Sequence, residues 1–194
     1  MASTGDLDPL FTYFDQFGRL STQARKEIEP IASVVLIKKN TDLQPIGHTC
    51  KTIYLVKKGA ARIHYFKDAN DITESFAFEN HLIVRVESLF TGQPSKKAIQ
   101  ALEDTEFIAV KAQPLFNLYD QFPEIERLFR KIFEAAHVET VHRLESIQFH
   151  TAEERYHDLL REAPEVVQRI AMKHIASYLG INRVSLSRIR ATLI

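Results

Sequence analysis

Met172-Lys173-His174-Ile175-Ala176-Ser177-Tyr178-Leu179-Gly180-Ile181-Asn182-Arg183-Val184-Ser185-Leu186-Ser187-Arg188-Ile189 is the stretch that decides how this chain is read. Ile175 and Leu179 stand four apart, so they face one side of a first helix. Ala176 is small where two helices must cross closely. Gly180 supplies the left-handed backbone that ends the first helix. Asn182 can cap a second helix, in which Leu186 and Ile189 form the inner stripe. The outer face of that helix carries Arg183, Val184, Ser187 and Arg188, with Arg190 following. From Arg169 to Ile194 there are five Lys/Arg and no Asp or Glu. The pattern is that of a helix-turn-helix whose second helix enters a DNA groove. An ordinary basic α-hairpin would share the glycine and the first helix, but not the joint match in Ala, Gly, four apolar positions and a basic second helix.

Working outward, the whole chain has 194 residues, with 25 Lys+Arg balanced by 25 Asp+Glu. A net charge of zero exerts no global pull on nucleic acid, so any DNA affinity is local. Hydrophobic residues make up 45% of the sequence, enough for one or two packed domains. No segment approaches the ~20 apolar residues of a membrane span. Met1-Ala2-Ser3-Thr4-Gly5-Asp6 has no basic region followed by an apolar core, so a cytoplasmic protein is expected. Cys50 is alone, which excludes an internal disulfide and a multi-cysteine iron–sulfur site within one chain. It is expected to be a small buried or half-buried side chain.

Residues 8–30 read as helical. Leu10, Phe11, Phe14 and Phe17 form one apolar side, Ser21-Thr22 opens a second turn toward Ile28, and Pro30 stops it. From Val34 to about Val110 short apolar runs alternate with turn residues: Val34–Ile37, Ile53–Val56, then Ala61, Ile63 and Tyr65 at period two. Lys57-Lys58-Gly59 and Asp68-Ala69-Asn70-Asp71 are the turns between them, and the spacing suggests an antiparallel barrel or sandwich. From Pro123 to about Gln148 the helical period returns through Ile125, Leu128, Phe129, Ile132, Phe133, Ala136, Leu144 and Ile147. A helix of ~25 residues is about 40 Å long at 1.5 Å per residue, and its broad stripe can serve both the barrel and a dimer seam. Thr151 followed by Glu153 and Glu154 marks a new helix start, with Tyr156, Leu159 and Leu160 facing inward and Pro164 after its end.

A barrel, a long helix and a helix-turn-helix, in that order, resemble the Crp–Fnr family of bacterial transcription regulators over nearly the whole chain. Ile175-Ala176-Ser177-Tyr178-Leu179-Gly180-Ile181 with Leu186-Ser187-Arg188-Ile189-Arg190 looks like that family's DNA-reading motif. Ile53-Tyr54-Leu55-Val56-Lys57-Lys58-Gly59 is similar to the strand and turn entering its cyclic-nucleotide β-roll. The resemblance implies an α+β fold in three parts. These are a cyclic-nucleotide-binding-like antiparallel β-roll (a cupin-like double-sheet barrel) with leading helices over 1–122, a dimerisation helix over 123–148, and a helical DNA-binding domain over 149–194. It implies a homodimer on two-fold double-stranded DNA, because two reading helices reach successive major grooves about 34 Å apart. It further implies a small-molecule effector in the roll, a cyclic nucleotide or another small anion, and RNA polymerase as a partner. No membrane partner, catalysis or metal is expected.

The family's phosphate-binding cassette has Gly-Glu, a short helix, then Arg-Ser or Arg-Thr. The matching stretch here runs from Val86 to Ile99. Glu87 is in place, but Val86 stands where the family has Gly. Ser95-Lys96 stands where it has Arg-Ser, or Pro94-Ser95 if the loop is shifted by one. Arg binds phosphate with a two-bond fork, whereas Lys96 or Lys97 offers only a point charge, so weak or absent cyclic-AMP binding is expected. Glu87, Ser88, Ser95 and Lys96 are the effector-pocket candidates, with turn and helix capping as the alternative role of the two serines.

None of the eight histidines pairs with a Cys at zinc spacing, and no His-Glu-x-x-His, glycine-rich phosphate loop or Ser-His-Asp signature is present. The competing function is a sensor or protein-interaction module without sequence-specific DNA binding. Val184 favours it, since many family members carry an acid there that accepts from a cytosine amino group. Val would instead touch a thymine methyl. The family's strand hairpin after the reading helix has no counterpart before Ile194, so fewer phosphate contacts are expected on that side.

Overall fold

The computed structural model describes residues 6–192; the first five and last two residues, which belong to the ends of the expected first and third parts, lie outside it. Ser21 begins the organisation of the N-terminus. Its hydroxyl accepts from Ala24 N–H at 3.1 Å and caps α2 (Thr22–Ile28), so the helical region splits into α1 (Asp8–Asp15) and α2. A short 3-10 turn over Glu29–Ile31 with Pro30 then feeds the first strand.

Eight strands follow: β1 (Ala32–Ile37), β2 (Asp42–Gln44), β3 (Thr52–Lys58), β4 (Ala61–Lys67), β5 (Asn70–Ala77), β6 (Leu82–Ile83), β7 (Ala98–Ala101) and β8 (Thr105–Lys111). They form two four-stranded antiparallel sheets, β1-β8-β3-β6 and β2-β7-β4-β5. Between barrel and sandwich, the roll is therefore two separate sheets face to face. Val56, Ala61, Ile63, Ala77, Ile83, Ile99 and Phe107 fill the space between them. The β3–β4 turn needs Gly59, with φ +107°: a Cβ there would stand 2.6 Å from Thr105 Oγ1 and 2.9 Å from the Thr105 backbone.

Outside the roll are α3 (Val86–Thr91), α4 (Ala112–Asn117) and the long α5 (Pro123–Phe149). The N-terminal half of α5 buries Ile125, Leu128, Phe129 and Ile132 against α1, α2 and the first sheet, together with Leu10, Phe14, Ile53, Leu55 and Ile108. Ser21 donates from both its N–H and hydroxyl to Glu124 Oε1, at 2.9 and 2.6 Å, which ties α2 to the first turn of α5. The C-terminal half of α5 is different: Val138, Val141, Leu144, Ile147 and Phe149 are exposed.

The rest is helical: α6 (Ala152–Glu162), α7 (Pro164–Arg169), α8 (Met172–Tyr178) and α9 (Arg183–Ala191). Thr151 and Glu154 form a reciprocal capping box at the start of α6. Pro164 does not merely end that helix; it opens α7, a position where its missing N–H costs nothing. Cys50 is buried, and its N–H donates to Ser88 Oγ.

Candidate DNA-reading surface and effector mouth

Helices α8 and α9 close on a small apolar core. Ile175, Ala176, Leu179 and Leu186 are buried with Tyr156, Leu159, Val166 and Ile170, and Ile189 packs against them. Gly180 takes φ +70°, and Ile181 N–H reaches back to Ala176 C=O at 3.0 Å, so the chain leaves α8 through a left-handed cap. Asn182 Oδ1 accepts from Ser185 N–H at 2.8 Å and starts α9. Arg183, Val184, Ser187 and Arg188 are exposed on α9, while Arg190 is half-buried. Among the described residues the last cation with a carboxylate partner is Arg169, so Arg183, Arg188 and Arg190 have none.

The helix-turn-helix is held from two sides. On one side, arginines from α5 and α6 reach the C-terminal end of α8. Arg143 donates to Tyr178 C=O with its guanidinium 3.8 Å from the Tyr178 ring centre, and Arg155 donates to Leu179 C=O at 2.7 Å. Cations are favourable there because the last carbonyls of a helix are unsatisfied and carry its negative dipole end. A groove of about 300 Å³ runs beside them, lined by His142, Ser146, Asp158 and Glu162 among others.

On the other side, α8 lies on the outer face of the second sheet. Thr73 N–H of β5 donates to Ser177 Oγ at 3.1 Å, and Phe76 packs on Tyr178 with ring centres 5.2 Å apart. Ala60, Phe78 and Leu102 of the roll complete the α8–α9 core. Arg169, at the end of α7, donates to both oxygens of Glu79 at 2.8 and 3.0 Å and also to Glu103. The Arg169 hydrogen bonds hold the Glu79 carboxyl down to about 2.

Beneath α8 lies a buried polar network. The Arg62 guanidinium grips Asp71 through two bonds of 2.8 and 2.6 Å and also reaches Thr73 and Gln100. Burial raises the Asp71 pKa, but the hydrogen bonds and charge of Arg62 outweigh it and keep Asp71 below its ordinary value. His174 of α8 is buried over this network. Its pKa is pushed down to about 4, first by desolvation and then by the charges of Arg62 and Lys173.

The four effector-pocket candidates do not converge. Glu87 and Lys96 are exposed. Ser88 Oγ donates to Gln93 C=O at 2.5 Å while accepting from Cys50 N–H, and Ser95 Oγ donates to Lys97 C=O at 2.7 Å. Both hydroxyls thus serve the local loop. A different residue enters the site: Arg85, one before α3, is buried, and its Nε lies 3.4 Å from Ser95 Oγ. Its Nη1 meets Glu74 Oε1 at 3.2 Å, and Lys97 pairs with the other Glu74 oxygen. A search confined to the cassette misses Glu74, which sits on β5; Arg85 adjoins the stretch but carries no motif.

No protein-family model and no curated protein matches the sequence. Solved structures do match in fold. A protein described as a transcriptional regulator of the crp/fnr family from Eubacterium rectale superposes with a TM-score of 0.71 at 20% identity, covering 92% of this chain and 85% of that one. FixK2 from Bradyrhizobium japonicum gives 0.67 at 22% identity, over 84% of each chain. CLP, a c-di-GMP responsive global regulator from Xanthomonas campestris, gives 0.69 at 15% identity, over 89% of this chain and 91% of that one. From β1 to α9, this chain has the fold of the Crp/Fnr regulators.

Proposed function

We propose that the chain is a DNA-binding transcription regulator of the Crp–Fnr type that acts as a homodimer in the cytoplasm. The observation that carries this reading is α9: a helix buried through Leu186 whose outer face presents Arg183, Val184, Ser187 and Arg188, with no acid from Arg169 onward. Arg183 is near the helix N-terminus, the end that enters the major groove in this motif. Arg188 lies about 140° further round the axis at ~100° per residue, so the two do not share a base. Val184 is 61% exposed and fits a thymine methyl rather than a cytosine amino group. Arg190 and Arg188 are placed for phosphates or base edges further along.

The dimer reading rests on α5. Val138, Val141, Leu144 and Ile147 leave an apolar surface bare in the half that does not touch the roll. Pairing two such helices sets the spacing of the two reading helices. Effector gating follows from the contacts of α8: β5 and the two arginines of α5 and α6 fix its pose, so a change in either the roll or the long helix moves α9. RNA polymerase is the partner through which a bound regulator would act.

Binding-site selection at fixed salt, with wild type and with Arg183→Ala and Arg188→Ala, tests the reading. Weaker binding with blurred preference at a G·C pair marks a base contact; uniformly weaker binding with a shallower salt slope marks a phosphate contact. If both variants select the wild-type site at wild-type affinity, α9 does not read DNA. The exposed Val184 would then favour an interaction module.

A further inference from the structure

Arg85 and Lys97 approach one carboxylate, Glu74, from two sides. Arg85 comes from the loop before α3, Lys97 from the loop before β7, and Glu74 from β5. The Arg85 side chain is 8% exposed, and it reaches Glu74 Oε1 at 3.2 Å and Ser95 Oγ at 3.4 Å. Lys97 pairs with Glu74 Oε2 and lies 5.5 Å from the centre of the Tyr65 ring. One guanidinium N–H and an ammonium meet this carboxylate, while Ser95 Oγ accepts from Arg85 Nε and holds the guanidinium in place. A guanidinium and an ammonium on one anion suit a phosphate or carboxylate ligand.

The backbone is shaped to bring Glu74 there. In the β4–β5 ladder Ile63 pairs with Ser75 and His64 with Thr73, which leaves Glu74 as the extra residue of a β-bulge. A bulge leaves one residue unpaired, bends the strand locally and re-aims a side chain. Thr73 keeps its place under α8, and Ser75 stays opposite Ile63. The cluster also holds two positive groups against one negative, so a phosphate bearing more charge than a carboxylate has no electrostatic reason to be excluded. Only the occupant stands in its way.

We propose that Glu74 is a built-in ligand of the roll's anion site: its carboxylate occupies the place between Arg85 and Lys97 that the phosphate of an effector would take. This rests on reading the roll as an effector domain. In consequence the wild-type roll keeps this site closed on its own, and a phosphate ester enters only by displacing Glu74. The compensation is local: Arg85 supplies a guanidinium beside Ser95, where the cassette's own positions carry none.

The test uses the full chain, titrated with cyclic AMP and separately with inorganic phosphate, followed by calorimetry and by thermal melting at constant ionic strength. Wild type should give no heat and no shift in Tm at millimolar ligand. Glu74→Gln, which keeps the shape and removes the charge, should give a measurable phosphate affinity at least tenfold tighter than the millimolar limit set by wild type. Adding Arg85→Met should abolish that gain. Glu74→Asp, which withdraws the carboxylate while preserving its charge, is the companion should the neutral variant fold poorly, and should show a smaller gain. Micromolar binding of cyclic AMP to wild type overturns the proposal, as does silence from a folded Gln or Asp variant. DNA selection on the same preparations separates the two readings: absence of any sequence preference in wild type sinks the regulator, whatever Glu74 does.

Discussion

The two ends of this molecule handle their cations in opposite ways. At the roll mouth Arg85 and Lys97 are matched by Glu74, and along the second sheet Arg62 is matched by Asp71. On α9, Arg183 and Arg188 are exposed in a segment that contains no acid. A buried cation without a partner is costly, and β5 supplies the carboxylates for both arginines. An exposed cation stays hydrated at little cost and remains available to a phosphate or a guanine. The difference teaches where an external ligand would act on the proposed reading: it would complete the surface the chain leaves incomplete, and would have to compete with the chain's own carboxylates where they fill the site.

The strongest way to break this comparison is to remove both cations of α9. Arg183→Ala combined with Arg188→Ala should cost about 2–6 kcal/mol of operator affinity, at about 1–3 kcal/mol for each specific contact. Fluorescence anisotropy on the selected site reads it directly, and unchanged affinity would place the reading surface elsewhere. Next is the bare half of α5. Val141→Glu with Leu144→Glu should shift the mass seen by light scattering from dimer to monomer and leave the melting temperature nearly unchanged. Ile132 is unsuitable for this purpose, because it is buried in the chain's own core; a Glu there tests folding rather than assembly.

Acid should loosen the seam between the two ends. The folded pKa of His174 is about 4 against an ordinary 6.5, so the unfolded or undocked chain binds the extra proton between these values. Stability is therefore complete above about pH 6.5 and falls as pH drops toward 4, each unit of displacement being worth about 1.4 kcal/mol. Glu79, at about 2 against 4.5, adds a second loss from about pH 4.5 downward. Denaturant titrations at pH 7 and pH 5 should show the first loss, and His174→Gln should flatten it. A slope that survives this variant would assign the titration to another group. The smallest effect expected is at the cap: Asn182→Ala should cost about 1 kcal/mol in the stability of the α8–α9 unit, while Asn182→Ser should cost little.

Much of this architecture was readable from the chain. Ser21, Thr151 and Asn182 are caps whose oxygens bond three residues on, and they lie where the helices begin. Gly180 ends α8 at positive φ as its place in the pattern requires. The period of α5 was also legible, but not its division into a buried and a bare half. Ile132 and Leu144 belong to the same apolar pattern, and only the position of the roll makes one core and the other surface. Strand spacing alone leaves the roll between barrel and sandwich, since alternation fixes which face is buried and not which strands pair; the double-sheet roll is what the family resemblance implies.

The candidate effector site was least legible. The cassette comparison directs attention to Glu87, Ser95 and Lys96, whereas the cations that meet an anion are Arg85 and Lys97, and the anion is Glu74, more than ten residues from the first and more than twenty from the second. The docking of α8 on β5 was invisible for the same reason: Thr73 and Ser177 are 104 residues apart. By itself the sequence determined what acts within a turn or two of helix: caps, left-handed exits, apolar stripes and an acid-free outer face on α9. Tertiary structure alone decided which charges neutralise one another and which helix rests on which sheet. A hydrogen bond three residues away is set by local geometry, while a partner on another strand is set by the sheet register and a single bulge.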